Sequence, residues 1–135
     1  MFRIGYRATL DAGVGEAEIA SITEQSAANN RSAGLNGLWL LSGRSCLGAL
    51  EGDPRVLRSR IETIWDDPRL HGFDVIDMRS RMDPLLVWPF LLVRAATLEE
   101  RPDLARHPGV TWLAGFAGGL DAFFAAGGVH RRKSD

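Results

Sequence analysis

The chain has 135 residues with 16 basic and 17 acidic side chains, a formal charge of −1. That length predicts one domain around a single core, and the near-neutral balance gives no electrostatic reason to expect nucleic acid or an anionic membrane as partner. The lone Cys46 excludes an intramolecular disulfide and reads as a buried structural thiol. The amino terminus enters a strand-like pattern directly, without the apolar stretch of a signal peptide. The longest apolar run, Leu85 to Val93, is too short to span a bilayer, so a cytoplasmic protein is expected.

Phe2, Ile4 and Tyr6 alternate with Arg3, Gly5 and Arg7, which predicts a first strand with Tyr6 pointing inward. From about Gly15 to Ala33 a helix follows, with Glu16 and Glu18 in its first turn, where the macrodipole favours acids. Its inner face carries Ile19, Ile22 and Ser26 and then reaches Asn29 or Asn30. A buried amide needs a partner. These residues either cap the helix end, where Asn is common, or meet a ligand.

Leu35 to Leu41 and Ser45 to Leu50 read as a hairpin turning at Gly43-Arg44, which sets Leu41 opposite Cys46 and Trp39 opposite Gly48. A one-residue slip would send Trp39 to the other face. Asp53-Pro54 opens a second helix as N-cap and first helical residue. Leu57, Ile61, Ile64 and Trp65 are its expected buried stripe, and Pro68 its stop. Phe73 to Met78 is a fourth strand. Leu85 to Val93 is a fifth, with Pro89 marking an edge or a bulge. A short helix over Glu99 to Arg106 and a longer one bearing Trp112, Phe116, Leu120, Phe123 and Phe124 follow. The latter closes at Gly127-Gly128 and covers the sheet's second face or a partner. His130 to Lys133 form a solvated basic tail. The order gives an α+β sandwich, ferredoxin-like βαββαββ, as one domain over 1–135, with a core over 2–92 and a helical extension over 97–127.

No phosphate loop, metal-ligand spacing or nucleophile elbow is present. Gly13-Val14-Gly15 lacks its third glycine, and His71, His107 and His130 are scattered. Ser45 has Arg44 before it and Leu47 in place of the second glycine. A turnover enzyme is not expected.

Tyr6, Asn29-Asn30, Gly34-Leu35-Asn36-Gly37, Leu50-Glu51-Gly52, Asp67-Pro68-Arg69-Leu70-His71 and Trp88, in register over roughly 2–92, resemble a BLUF domain, the blue-light sensor that uses FAD. The resemblance implies a flavin ring between the two long helices, with Tyr6, Ile22, Asn29, Asn30, Asp67 and Trp88 around it. Tyr6 would be the photochemical electron donor. It also implies a signal passed by protein contacts. Because no output domain follows residue 135, the receiver is expected to be a separate protein or a second copy, with the exposed side of the Trp112 to Phe124 helix as the first surface to consider.

The chain departs from the family pattern at telling places. Gly48 stands where the relay glutamine should be, Thr63 at the second-helix arginine, Asn36 at a threonine and Phe90 at a methionine. The resemblance therefore implies an altered or lost photocycle, with the Trp39 indole filling the volume of the missing glutamine. The alternative is a flavin-free interaction module on the same fold.

Overall fold

The computed structural model describes residues 1–80 and 83–126. β1 (Phe2–Leu10), α1 (Glu16–Ala33), β2 (Asn36–Ser42), β3 (Ser45–Gly52), α2 (Pro54–Trp65), β4 (Leu70–Ser80) and β5 (Leu91–Val93) precede α3 (Ala95–Glu100), a 3-10 turn (Pro102–Arg106), α4 (Pro108–Gly115) and α5 (Leu120–Ala126). The sheet order is β4-β1-β3-β2-β5. β3 pairs antiparallel with both β1 and β2, so β1 and β2 run parallel on either side of it, with α1 as the crossover. This is the expected α+β, ferredoxin-like sandwich.

Period-two alternation sorts the side chains between two cores. Ile4, Tyr6, Ala8 and Leu10 of β1 join Trp39, Leu41, Cys46 and Leu50 against α1 and α2. On the opposite face Leu38, Leu40, Leu47 and Ala49 meet Leu98, Leu104, Val110, Leu113, Phe123 and Phe124. The carboxy-terminal helices thus cover the second face. Among the described residues no single helix is long and apolar enough to cross a membrane.

Several elements differ from the sequence reading. β4 runs from Leu70 to Ser80, longer than Phe73 to Met78, because β1 offers it a partner almost along its whole length. β5 keeps only Leu91–Val93, parallel to β2. Ahead of it the chain is held largely by side chains and not by a ladder. Glu51 accepts the Leu85 and Leu86 amides, Asn36 donates to the Leu86 carbonyl, and Asn30 to that of Pro89. Pro89 has no amide to continue a strand.

The long carboxy-terminal helix is two helices, broken at Gly118 and Gly119, whose φ values of 85° and 109° lie in the left-handed region. Trp65, expected in the core, is 63 % exposed. It ends α2, one residue round from the Ile64 stripe, and leans on Phe73 of edge strand β4 at 5.3 Å. The expected stop at Gly127-Gly128 and the basic tail lie outside the described residues.

A buried ion pair ties the layers together. Arg3 Nε meets Glu51 Oε2 at 2.7 Å, with both side chains nearly inaccessible. Arg3 also donates to the Asp83 carbonyl and lies 5.2 Å from the Trp112 ring centre. β1, β3, the segment before β5 and α4 therefore share one charged clamp.

Candidate functional site

A cavity of about 150 Å³ opens between α1, α2 and the first face of the sheet. Tyr6, Ile22, Asn29, Asn30 and Asp67 all line it, although they come from β1, α1 and the turn after α2. Trp88 does not. It packs on His107 at 4.4 Å, against the second core. Phe90, two residues on, takes the place at the cavity wall and meets Trp39 edge-on at 5.7 Å. The reason is local: the irregular backbone around Pro89 sends Trp88 and Phe90, which a regular strand would put on one face, to opposite layers.

Asn30 sits one turn before the end of α1 and is 1 % exposed. Gly34, with φ 73°, makes the C-cap, so Asn30 has no capping role. Its Nδ2 donates to the Pro89 carbonyl at 2.8 Å. Its Oδ1 is buried without a hydrogen-bond partner, the one such side-chain atom found among the described residues. An orphaned acceptor of this kind costs roughly 1–3 kcal/mol unless a donor is supplied. Asn29, on the next face of α1, is exposed at the mouth.

Asp67 is engaged within its own turn. Its carboxylate accepts the Arg69 amide at 2.9 Å and, in a bidentate pair, the Arg69 guanidinium at 2.8 and 2.9 Å. That guanidinium is the main cause holding the Asp67 carboxyl below its ordinary value, against a smaller opposing push from partial burial.

Tyr6, Gly48 and Trp39 lie in one row across β1, β3 and β2; the Trp39–Gly48 pairing is the one the hairpin turn predicts, and the β1–β3 ladder adds Tyr6. The row does not pack as expected from sequence. The volume over Gly48 is taken by the Tyr6 ring itself, since a Cβ built on Gly48 would collide with Tyr6 Cζ, Cε1 and Oη. The Trp39 indole stands beyond it, and its Nε1–H donates to the Tyr6 hydroxyl at 2.6 Å. Tyr6 also stacks on Phe73, centroids 5.1 Å apart. Burial pushes the Tyr6 phenol far above its ordinary pKa, and the neighbouring Cys46 acts in the same direction. The indole hydrogen bond and the charge of Arg60 oppose it.

Trp39 and Phe90, which the sequence reading set near the ligand, do line the cavity, and Arg60 joins them as a residue that sequence reasoning did not name. Arg60 had a signal: it lies three residues before Thr63, on the same face of α2, so a guanidinium is offered one turn earlier than the family pattern places it.

The fold and this cleft define a class: an α+β sandwich with a polar-ended cleft between two helices on one sheet face. The chain belongs to the BLUF family, whose model, described as sensors of blue light using FAD, matches residues 1–83. It is therefore a blue-light sensor domain, and FAD is the cofactor that defines the family.

Similar solved structures include BlrB, a BLUF protein in its dark state, 23% identical with TM-score 0.69 over 78% of this chain and 81% of that one. Photo-activated BlsA is 18% identical, TM-score 0.67, over 80% of this chain and 79% of that one. Klebsiella pneumoniae BlrP1 with FMN and cyclic diGMP is 20% identical, TM-score 0.72, over 94% of this chain but 35% of that one. At these identities the likeness is one of fold. No curated protein matches the chain.

The residues present fit the inner, polar end of a flavin ring. Asn30 Oδ1 lacks a donor, and Ile22, Leu50 and Phe90 give apolar walls. The volume is small beside the roughly 300–1,000 Å³ of ordinary ligand sites, and Trp39 is one of the walls that narrow it.

Proposed function

We propose that the cleft holds the FAD ring with Asn30 as the buried amide at its polar edge, Asn29 and Arg60 at the mouth, Ile22 on one apolar side and Tyr6 beside the ring. The observation that carries this reading is the unpartnered, buried Oδ1 of Asn30, a residue that lines the cavity. FAD supplies blue-light absorption and acceptance of an electron when bound. The chain's own part is to exclude water, to keep the Tyr6 phenol protonated in its buried setting, and to hold it within reach as the electron and proton donor.

The amide relay of the family has no counterpart at its usual place, position 48. Gly48 has no side chain, and an indole cannot substitute, because it only donates and has no acceptor with which to exchange roles. A light response here therefore proceeds without the exchange of amide hydrogen bonds that shifts the flavin absorption to the red. We propose that the output is a change in contacts with a separate protein or a second copy, not turnover by this domain. The near-neutral charge favours a protein partner over nucleic acid or an anionic membrane surface, and the setting proposed is the cytoplasm.

Absorption spectroscopy tests this. Protein that takes up FAD and turns yellow, shows no red shift under blue light and loses the colour in Asn30→Leu supports the reading. A red shift in the unaltered chain overturns the loss of the relay. A second reading is favoured by the small cavity: a flavin-free interaction module on the same fold. Colourless protein that fails to take up added FAD would establish that one.

A further inference from the structure

The row Tyr6–Gly48–Trp39 does something that neither a missing glutamine nor a bulky neighbour explains. A phenol hydroxyl has one proton and two acceptor positions, whereas an indole has a donor alone. In the Trp39–Tyr6 contact the direction is therefore unambiguous: the indole gives and the hydroxyl oxygen accepts, at 2.6 Å between two buried side chains. Among the described residues the Tyr6 proton has no acceptor of its own. Phe73 covers the ring on one side and the β3 backbone at Gly48 underlies it. Tyr6 and Trp39 both line the cavity.

We propose that Trp39 is a positioning residue for ligand recognition: across the bare backbone of Gly48 its indole N–H occupies the Tyr6 oxygen. The phenol proton is thereby presented to the cavity, where it grips a carbonyl of a flat heterocycle directly, in place of an amide relay. The ligand half of this inference rests on the flavin reading above; the Trp39–Tyr6 half does not. The arrangement also couples the residue identities, because any side chain at 48 lifts Tyr6 away from the indole.

Two measurements on the full chain separate the halves. In a ¹⁵N-labelled sample the Trp39 indole signal is identified by its loss in Trp39→Phe. Tyr6→Phe, which keeps the packing and removes the hydroxyl, should move that signal upfield and speed its hydrogen exchange. An indole signal indifferent to Tyr6→Phe overturns the hydrogen bond.

Titration with FAD then forms a cycle over Tyr6→Phe and Trp39→Phe. Trp39→Phe should weaken binding about fivefold more when Tyr6 is present than when it is Phe, the scale of one neutral hydrogen bond. Equal effects in both backgrounds overturn the positioning role and leave Trp39 a mere wall. Wild-type protein that takes up no FAD overturns the flavin reading together with the ligand half, and the indole signal still decides whether Trp39 holds Tyr6.

Discussion

Gly48→Ala is the smallest change that tests the central row. The new methyl group would overlap Tyr6 Cζ, Cε1 and Oη. Because Tyr6 is a rigid ring, 1 % exposed, it can yield only by leaving its place. Doing so forfeits the indole hydrogen bond and strands a buried N–H, about 1–3 kcal/mol. It also breaks the stack on Phe73, about 0.5–1.5 kcal/mol. Overpacking of a closed core costs about 1–3 kcal/mol by itself, a figure that overlaps the other two. Replacing a strand glycine normally returns about 0.5–1 kcal/mol. The net loss should be about 2 kcal/mol, a sizeable share of the roughly 5–15 kcal/mol of a whole domain.

Urea unfolding followed by far-ultraviolet circular dichroism measures it, with Tyr6→Ala as the second arm of a cycle. With the ring gone the collision is gone, so Gly48→Ala should become neutral or slightly stabilising. If Gly48→Ala costs the same in both backgrounds, or nothing in the native one, the account of the row is wrong.

Gly48→Gln alone should not install a red-shifting photocycle, since Tyr6 occupies the space and Trp39 anchors it there. The shift is expected first when Trp39→Leu is added, and its appearance with the single change, read by absorption under blue light, would contradict the packing. Glu51→Ala should destabilise by roughly 3–5 kcal/mol, because it leaves Arg3 buried without a counter-charge. The double change Arg3→Met with Glu51→Leu should recover only part of that in the same unfolding assay, because the Leu85 and Leu86 amides still lose their acceptor.

The Asp67–Arg69 pair sets a pH dependence. The Asp67 pKa is depressed from its ordinary 3.8, so the pair's contribution is present above that value and fades as pH falls below it through the folded pKa. The stability gap between wild type and Asp67→Asn should shrink in acid. A gap that widens there would contradict the assignment.

Local patterns in the sequence were enough for much of this protein. Alternation along β1 turned Tyr6 inward, Asp53-Pro54 opened α2, and Gly43-Arg44 set the pairing that puts Trp39 opposite Gly48. Each of these depends on interactions within one turn or one ladder, so residue order alone carries them. The spacing of Ile19, Ile22 and Asn30 likewise brought an amide to an inner helix face.

Other features needed the assembled layers. That Asn30 does not cap the helix turned on Gly34 taking the left-handed position, and its amide partner on Pro89 arriving from 59 residues away. Trp65 was pushed out because α2 ends there, and Trp88 was drawn to His107 because the backbone near Pro89 is held by side chains of other elements. Above all, which ring covers Gly48 was decided in three dimensions. The ladder specifies who stands opposite whom, but the rotamers that fill a bare glycine follow from the competition of Phe73, Trp39 and the closing helices for the same volume.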